Sequence, residues 1–250
     1  MTINNQSGRI IWHELLTSDV EAAKGYYGEL FGWKSRTVDM GPMKYTLLSV
    51  GDKDVGGLMQ AQKGSPRWLS YAAVSDVDAA VKTARGEGAS VEFDAITMPG
   101  VGRFATVKHA AGGEIAPMTP ETAAPELEGA PAVGSFCWDE LVSQDPAAAS
   151  KFLTKVFGYA TEEKDMGPMG TYTVLKRGDK QAGGIMKAMQ PKATSAWLGY
   201  VLVTDLASSH KKAQKLGGTE IVPEISVPNL GRFTVIADKQ GAMIGLFQGA

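Results

Sequence analysis

A carboxylate and an indole recur two residues apart at two places in this chain. Trp12 and Glu14 stand in Ile10-Ile11-Trp12-His13-Glu14-Leu15-Leu16-Thr17-Ser18-Asp19, and Trp138 and Glu140 stand in Phe136-Cys137-Trp138-Asp139-Glu140-Leu141-Val142-Ser143-Gln144-Asp145. Each stretch reads as a strand feeding a helix start, and strand alternation puts each Trp and its Glu on one face. A carboxylate among apolar neighbours needs a donor, or its pKa rises. Such an acid can anchor a ligand or act as a general base. It can equally belong to an internal ion pair, for which Arg103 and Arg232 are the available cations. Trp68 with Trp197, and Met59 with Met186, are further matched pairs. Indoles and thioethers suit an adaptable apolar pocket for a planar ligand, and they also fill cores.

The remaining reactive residues form no constellation. His13, His109 and His210 are scattered, and His13 is one residue out of step with Trp12, so it faces away. Cys137, the only cysteine, has no catalytic partner at a readable spacing and reads as a buried, inert thiol. Gly100-Val101-Gly102 lies between two strands, whereas a dinucleotide fingerprint opens a helix. A formal charge of −2 argues against nucleic acid and against an anionic membrane surface. A single cysteine excludes a disulfide framework, and the first residues show neither a basic nor an apolar stretch. A cytoplasmic protein is therefore expected, with no membrane span.

These residues must be positioned by a duplicated scaffold. Asp39-Met40-Gly41-Pro42-Met43 returns as Asp165-Met166-Gly167-Pro168-Met169, Gly56-Gly57-Leu58-Met59 as Gly183-Gly184-Ile185-Met186, and Gly102-Arg103-Phe104 as Gly231-Arg232-Phe233. The spacing predicts two homologous domains, 8–118 and 134–249. The linker, 119–133, carries Pro120, Pro125 and Pro131 and no basic residue. Within each half a strand followed by Asp and a helix occurs twice, at Asp19 and Asp76, then at Asp145 and Asp205. Ser18 with Glu21 reads as a capping box. The first helix buries Val20, Ala23, Tyr27, Leu30 and Phe31 at helical spacing, and Gly32 ends it. Its counterpart uses Ala149, Phe152, Leu153, Val156 and Phe157, then Gly158. The expected class is α+β: two tandem domains, each of two βαβββ units forming a curled mixed sheet around a cavity, with helices outside.

The unit order, the strand–Asp–helix–Phe-Gly start from Trp12 to Gly32, and the Gly-Arg-Phe strands before the glycine turns Ala111-Gly112-Gly113 and Gln240-Gly241-Ala242 make the chain resemble the vicinal oxygen chelate superfamily. That superfamily includes glyoxalase I, extradiol dioxygenases, fosfomycin-resistance enzymes and bleomycin-resistance proteins. The resemblance implies a divalent metal held by His and Glu side chains of the cupped strands. Its four places fall on Trp12, the stretch Gly57 to Gln60, Ser70 and Ala116, and on Trp138, Gly184 to Lys187, Gly199 and Gly245. A metal needs three or four converging donors, and neither set supplies them. The expectation is therefore a protein without metal or cofactor that binds an apolar or aromatic small molecule. The candidate contacts are Trp12, Glu14, Met59, Trp68, Ser70 and Arg103 in the first domain, and Trp138, Glu140, Met186, Trp197 and Arg232 in the second. The alternatives are a glyoxalase-type lyase or isomerase, or a dioxygenase-like enzyme, acting on an α-keto aldehyde or related substrate, and an interaction module with a filled interior. Four units in one chain make a monomer or weak homodimer sufficient.

Overall fold

The first repeat runs β1 (Ile10–Thr17), α1 (Val20–Phe31), β2 (Lys34–Asp39), β3 (Lys44–Val50), β4 (Lys53–Gln60), β5 (Arg67–Ala73), α2 (Val77–Gly86), β6 (Ser90–Met98), β7 (Gly102–His109) and β8 (Gly113–Pro120). The second runs β9 (Phe136–Ser143), α3 (Pro146–Phe157), β10 (Ala160–Asp165), β11 (Thr171–Arg177), β12 (Lys180–Lys187), β13 (Ala196–Leu202), α4 (Leu206–Lys215), β14 (Thr219–Val227), β15 (Gly231–Ala237) and β16 (Met243–Gly249). This computed structural model describes residues 7–40, 44–61, 63–123, 129–167, 170–190 and 193–250. Gly41, Pro42 and Met43, Pro168 and Met169, and the linker residues Pro125, Glu126 and Glu128 lie outside the described residues.

The α+β expectation holds. Two eight-stranded mixed sheets have the orders β2-β3-β4-β1-β5-β8-β7-β6 and β10-β11-β12-β9-β13-β16-β15-β14. Hairpins supply the antiparallel pairs, while β1 with β4 and β5 with β8 run parallel, as a helix crossover requires. The strand β8 continues to Pro120, two residues into the segment read as linker.

The helix starts are fixed by Asp19, Asp76, Asp145 and Asp205, each accepting from the backbone N–H three residues on. The expected capping box is replaced at α1. Asp19 is the cap, Ser18 donates to Gln240, and Glu21 pairs with Lys24. Gly32 and Gly158 close α1 and α3 with φ of 74° and 76°, in the left-handed region that suits glycine.

Packing divides the chain differently from the repeats. One compact unit joins α1 and β2–β4 to α4 and β14–β16, and the other joins α2 and β6–β8 to α3 and β10–β12. In the first unit Leu15, Ala23, Tyr27, Leu30, Leu48 and Leu58 share a core with Val201, Leu206, Ile236, Ile244 and Leu246. Of the residues expected in the α1 core, Val20 and Phe31 are only partly buried. The polar node of this core is Tyr27, whose hydroxyl donates to Asp238 at 2.9 Å and accepts from the Trp68 indole at 3.2 Å. In the second unit Ala84, Val107 and Ile115 pack with Phe152, Leu153, Phe157, Leu175 and Ile185. There the His109 ring stacks on Phe152, centroids 4.3 Å apart and nearly parallel at 3°. Its Nδ1 accepts from the Gly112 N–H at 3.0 Å.

Burial pushes the His109 imidazole below its ordinary value, against the weaker pull of Glu87. The fold therefore favours the neutral ring, while the unfolded chain takes up a proton near pH 6.5. This stabilisation is present above the unfolded value and is lost as pH falls through the window beneath it. Melting midpoints at about pH 7.5 and about pH 5 should differ less in His109→Phe than in the wild type. The lost Gly112 hydrogen bond lowers both midpoints of the variant alike. An unchanged difference counts against this assignment.

Candidate functional site

Strand parity gives every sheet two faces. On one, Leu15 and Leu58 pack under α1. The opposite face, free of helices, holds Glu14. Across the parallel ladder Glu14 registers with Gly57 and Leu16 with Met59. Glu14 is only 5% exposed. A Cβ on Gly57 would overlap the Tyr45 hydroxyl, so glycine alone lets the phenol lie across β4 beside the acid. The second repeat builds the same arrangement in its own unit. Glu140, 7% exposed, registers with Gly184, Val142 with Met186, and the Tyr172 hydroxyl occupies the space over Gly184. Leu16, Met59, Val142 and Met186 are half-buried.

The later strands bring aromatic rings to the helix-free face. Tyr71 registers with Ala116 and meets Phe104 edge-on at 5.7 Å, and Phe104 stacks on Phe93 at 6.1 Å. In the other unit Tyr200 registers with Gly245, and its ring takes the volume a Cβ there would need. Tyr200 meets Phe233 edge-on at 5.5 Å. Half-buried Trp138, Phe233 and Phe247 pack around Leu198, Tyr200 and Val235.

The other sequence candidates lie on the helix-covered face. Trp68 donates to Tyr27, and Trp197 donates to the Gly112 carbonyl at 3.0 Å, both within cores. Ser70 is buried and donates to Asp139 at 3.1 Å. Counting back from the helix-opening aspartates placed the third site on Ser70 and Gly199, but the helix-free face carries Tyr71 and Tyr200. The helix-free face lies an odd number of residues before the helix-opening aspartate in both kinds of strand, seven and five at Trp12 and Glu14 and five at Tyr71 and Tyr200, so a count of six lands on the covered face.

Arg103 and Arg232 also point away from the face that bears the acids. Arg103 makes paired contacts of 2.7 and 3.0 Å with Asp78 in the first turn of α2. Arg232 bonds Glu224 at 3.0 Å and Gln248 at 3.1 Å. Their role as partners of Glu14 and Glu140 is thereby corrected. His13 is 7% exposed and stacks on Phe136 at 3.7 Å, and Cys137 donates to the Tyr200 carbonyl at 3.3 Å. Both do packing work.

Tyr45, Tyr172, Tyr71 and Tyr200 escaped the sequence reading. A glycine two residues before Met59, and again before Met186, was the available signal that something large crosses the strand.

The metal implied by the resemblance can be tested against these donors. Among the described residues no group of three or more His, Cys, Asp or Glu side chains is placed to hold an ion. The indoles, thioethers, glycines and alanine at the relevant strand positions supply no hard donor. The residues present do not fit the metal.

A family profile described as bleomycin resistance protein-like N-terminal matches residues 9–51. "Putative glyoxylase CFP32" of Mycobacterium tuberculosis is 30% identical over 256 residues, covering 96% of this chain and 94% of that protein. The anthracycline biosynthesis protein DnrV of Streptomyces peucetius is 29% identical over 259 residues, covering 94% and 91%. Among solved structures, the Mn(II)-bound glyoxalase from Novosphingobium aromaticivorans superposes with a TM-score of 0.66 at 14% identity, covering 97% of this chain and 82% of that one. Homoprotocatechuate 2,3-dioxygenase from Arthrobacter globiformis gives 0.68 at 14% identity, covering 98% and 80%. Among the described residues no helix is long and apolar enough to cross a membrane.

Proposed function

The chain belongs to the vicinal oxygen chelate superfamily, as a glyoxalase-like protein of two tandem domains, and on that premise we propose that it binds a planar, largely apolar small molecule without a metal. The carrying observation is that the helix-free faces hold half-buried rings and a thioether, with Trp138 and Met186 at places where the resemblance implies metal donors and Phe233 and Phe247 packed beside Trp138. Apolar walls with a few polar anchors are what a small-molecule site requires. Glu14 and Glu140 are the anchors. Two relatives are named for the biosynthesis of anthracyclines, which are fused-ring aromatic compounds, and this supports an aromatic ligand. A monomer or weak homodimer in a reducing compartment fits this reading, since the chain carries all four βαβββ units itself and has one thiol.

The test is a thermal-shift titration with a soluble planar probe, anthraquinone-2-sulfonate, alongside metal analysis of protein purified without chelators. Binding to the native state adds about 2.7 kcal/mol at a hundredfold excess over Kd, so the midpoint should climb steadily with probe. Stoichiometric zinc, nickel, manganese or iron, or metal-dependent turnover of the methylglyoxal–glutathione adduct, would overturn the metal-free reading in favour of a glyoxalase-type enzyme.

A further inference from the structure

We propose that the two repeats are unequal binders: Phe93 covers the aromatic seat on Phe104, and the planar molecule is taken only by the matching seat on Phe233. The proposal rests on the binding role above. It adds which unit serves that role and which residue decides.

The two seats are built alike, each within its own compact unit. On the helix-free face of β7, Phe104 registers with Ile96 of β6 and Met118 of β8. On β15, Phe233 registers with Ile225 of β14 and Phe247 of β16. A tyrosine meets each ring edge-on, Tyr71 at 5.7 Å and Tyr200 at 5.5 Å. An edge contact leaves the faces of the ring to be covered by something else. The residue placed to do so stands on the outermost strand, Phe93 opposite Thr106 and Val222 opposite Val235. Residues directly opposed in an antiparallel pair share a face, and an aromatic side chain also reaches the diagonal neighbour. Both outer strands shift register on either side of this residue, an irregularity that re-aims a side chain. The backbone thus makes the same presentation twice, and the repeats differ in the side chain presented.

In the first repeat the Phe93 ring lies over Phe104, with centroids 6.1 Å apart and planes 15° apart. Phe93 itself stays 45% exposed, so it covers its neighbour without joining a core. A solvent-facing ring stacked on a half-buried one has the geometry of a bound planar molecule. In the second repeat Val222 holds the corresponding place, and Phe233 is half-buried beside Trp138 and Phe247. Among the described residues the one ring contact of Phe233 is the edge-on Tyr200. Two methyl groups cannot make the offset stack that a phenyl makes. A flat aromatic molecule can take on Phe233 the position that Phe93 takes on Phe104. The first repeat supplies the chemistry of the occupant from its own chain: a flat, apolar ring.

Isothermal titration calorimetry with anthraquinone-2-sulfonate counts the seats. The wild type should bind one equivalent. Val222→Phe lays a phenyl over Phe233 and should weaken binding about 10-fold, the scale of a lost aromatic stack. Phe93→Val uncovers Phe104 and should raise the stoichiometry to two. Far-UV circular dichroism and the melting transition report whether each variant is folded. Phe93 is exposed on an outer strand, so its truncation leaves the cores intact, and that variant decides alone should Val222→Phe fail to fold. Two equal equivalents in the wild type, one equivalent in Phe93→Val, or undiminished affinity in folded Val222→Phe overturns the inequality and leaves the binding role standing. A wild type that binds no probe overturns the binding role, and the inequality with it.

Discussion

Cut within the linker, neither half of this chain should yield a folded monomer. The sequence repeats are contiguous, but each compact unit draws one βαβββ module from each of them. A first half alone exposes Leu15, Tyr27, Leu30, Leu48 and Leu58, which share their core with Val201, Leu206, Ile236, Ile244 and Leu246. Each large apolar side chain returned to water costs about 1.5–3 kcal/mol, and a whole domain is stable by only about 5–15 kcal/mol. Five such losses on either side exceed or exhaust that margin. The expected outcome is aggregation or self-association of residues 1–126 expressed alone, and recovery of a 1:1 complex when 1–126 and 127–250 are refolded together. Light scattering and far-UV circular dichroism would show it. A monomeric first half with a sharp unfolding transition would refute the interleaved architecture.

Asp238→Ala should be among the most damaging single substitutions. The carboxylate is 5% exposed. It accepts from the Tyr27 hydroxyl at 2.9 Å and from the backbone N–H groups of Gln240 and Ala242 at 2.8 and 3.0 Å. Truncation leaves two buried donors and a part-buried one without an acceptor, and each buried orphan costs about 1–3 kcal/mol. A total loss of about 3–5 kcal/mol is expected, or roughly 6–20 °C in melting midpoint for a chain of this size. Asp238→Asn keeps one acceptor oxygen and should lose less. Tyr27→Phe should cost about 1–2 kcal/mol, and the double variant less than the sum, because the two residues share one bond. Urea denaturation of the four proteins measures all of this. A loss below about 0.5 kcal/mol for Asp238→Ala would show that the network contributes nothing net.

What could be read from the sequence was local or periodic. The four capping aspartates, the glycines ending α1 and α3 and the repeat offset each sit within a few residues of what they determine. The helix-free face was legible wherever parity could be counted from a fixed point, as for Trp12, Glu14, Met59 and their counterparts. It was lost at β5, where an even count of six back from Asp76 gives Ser70 and an odd count of five gives Tyr71. Trp68 and Trp197 read as ligand contacts only because they recur as a matched pair of indoles. The Tyr27–Asp238 bond spans 211 residues and leaves no local trace. The crossing of modules between repeats is equally silent, since both cores are written in the same apolar alphabet.

The contrast between Tyr27 facing Asp238 in one unit and Phe152 facing His109 in the other bears on ancestry. A lone ancestral module pair must have complemented its own copy. These two now differ at the positions that meet. A gene made of two first repeats would set the Tyr27 phenol toward a second His109 in place of its acid. A gene made of two second repeats would confront Asp238 with Leu153, the successor to Tyr27, and strand the carboxylate. Divergence at this handful of positions has made the two repeats unlike where they meet, and each compact unit now joins one module of each kind.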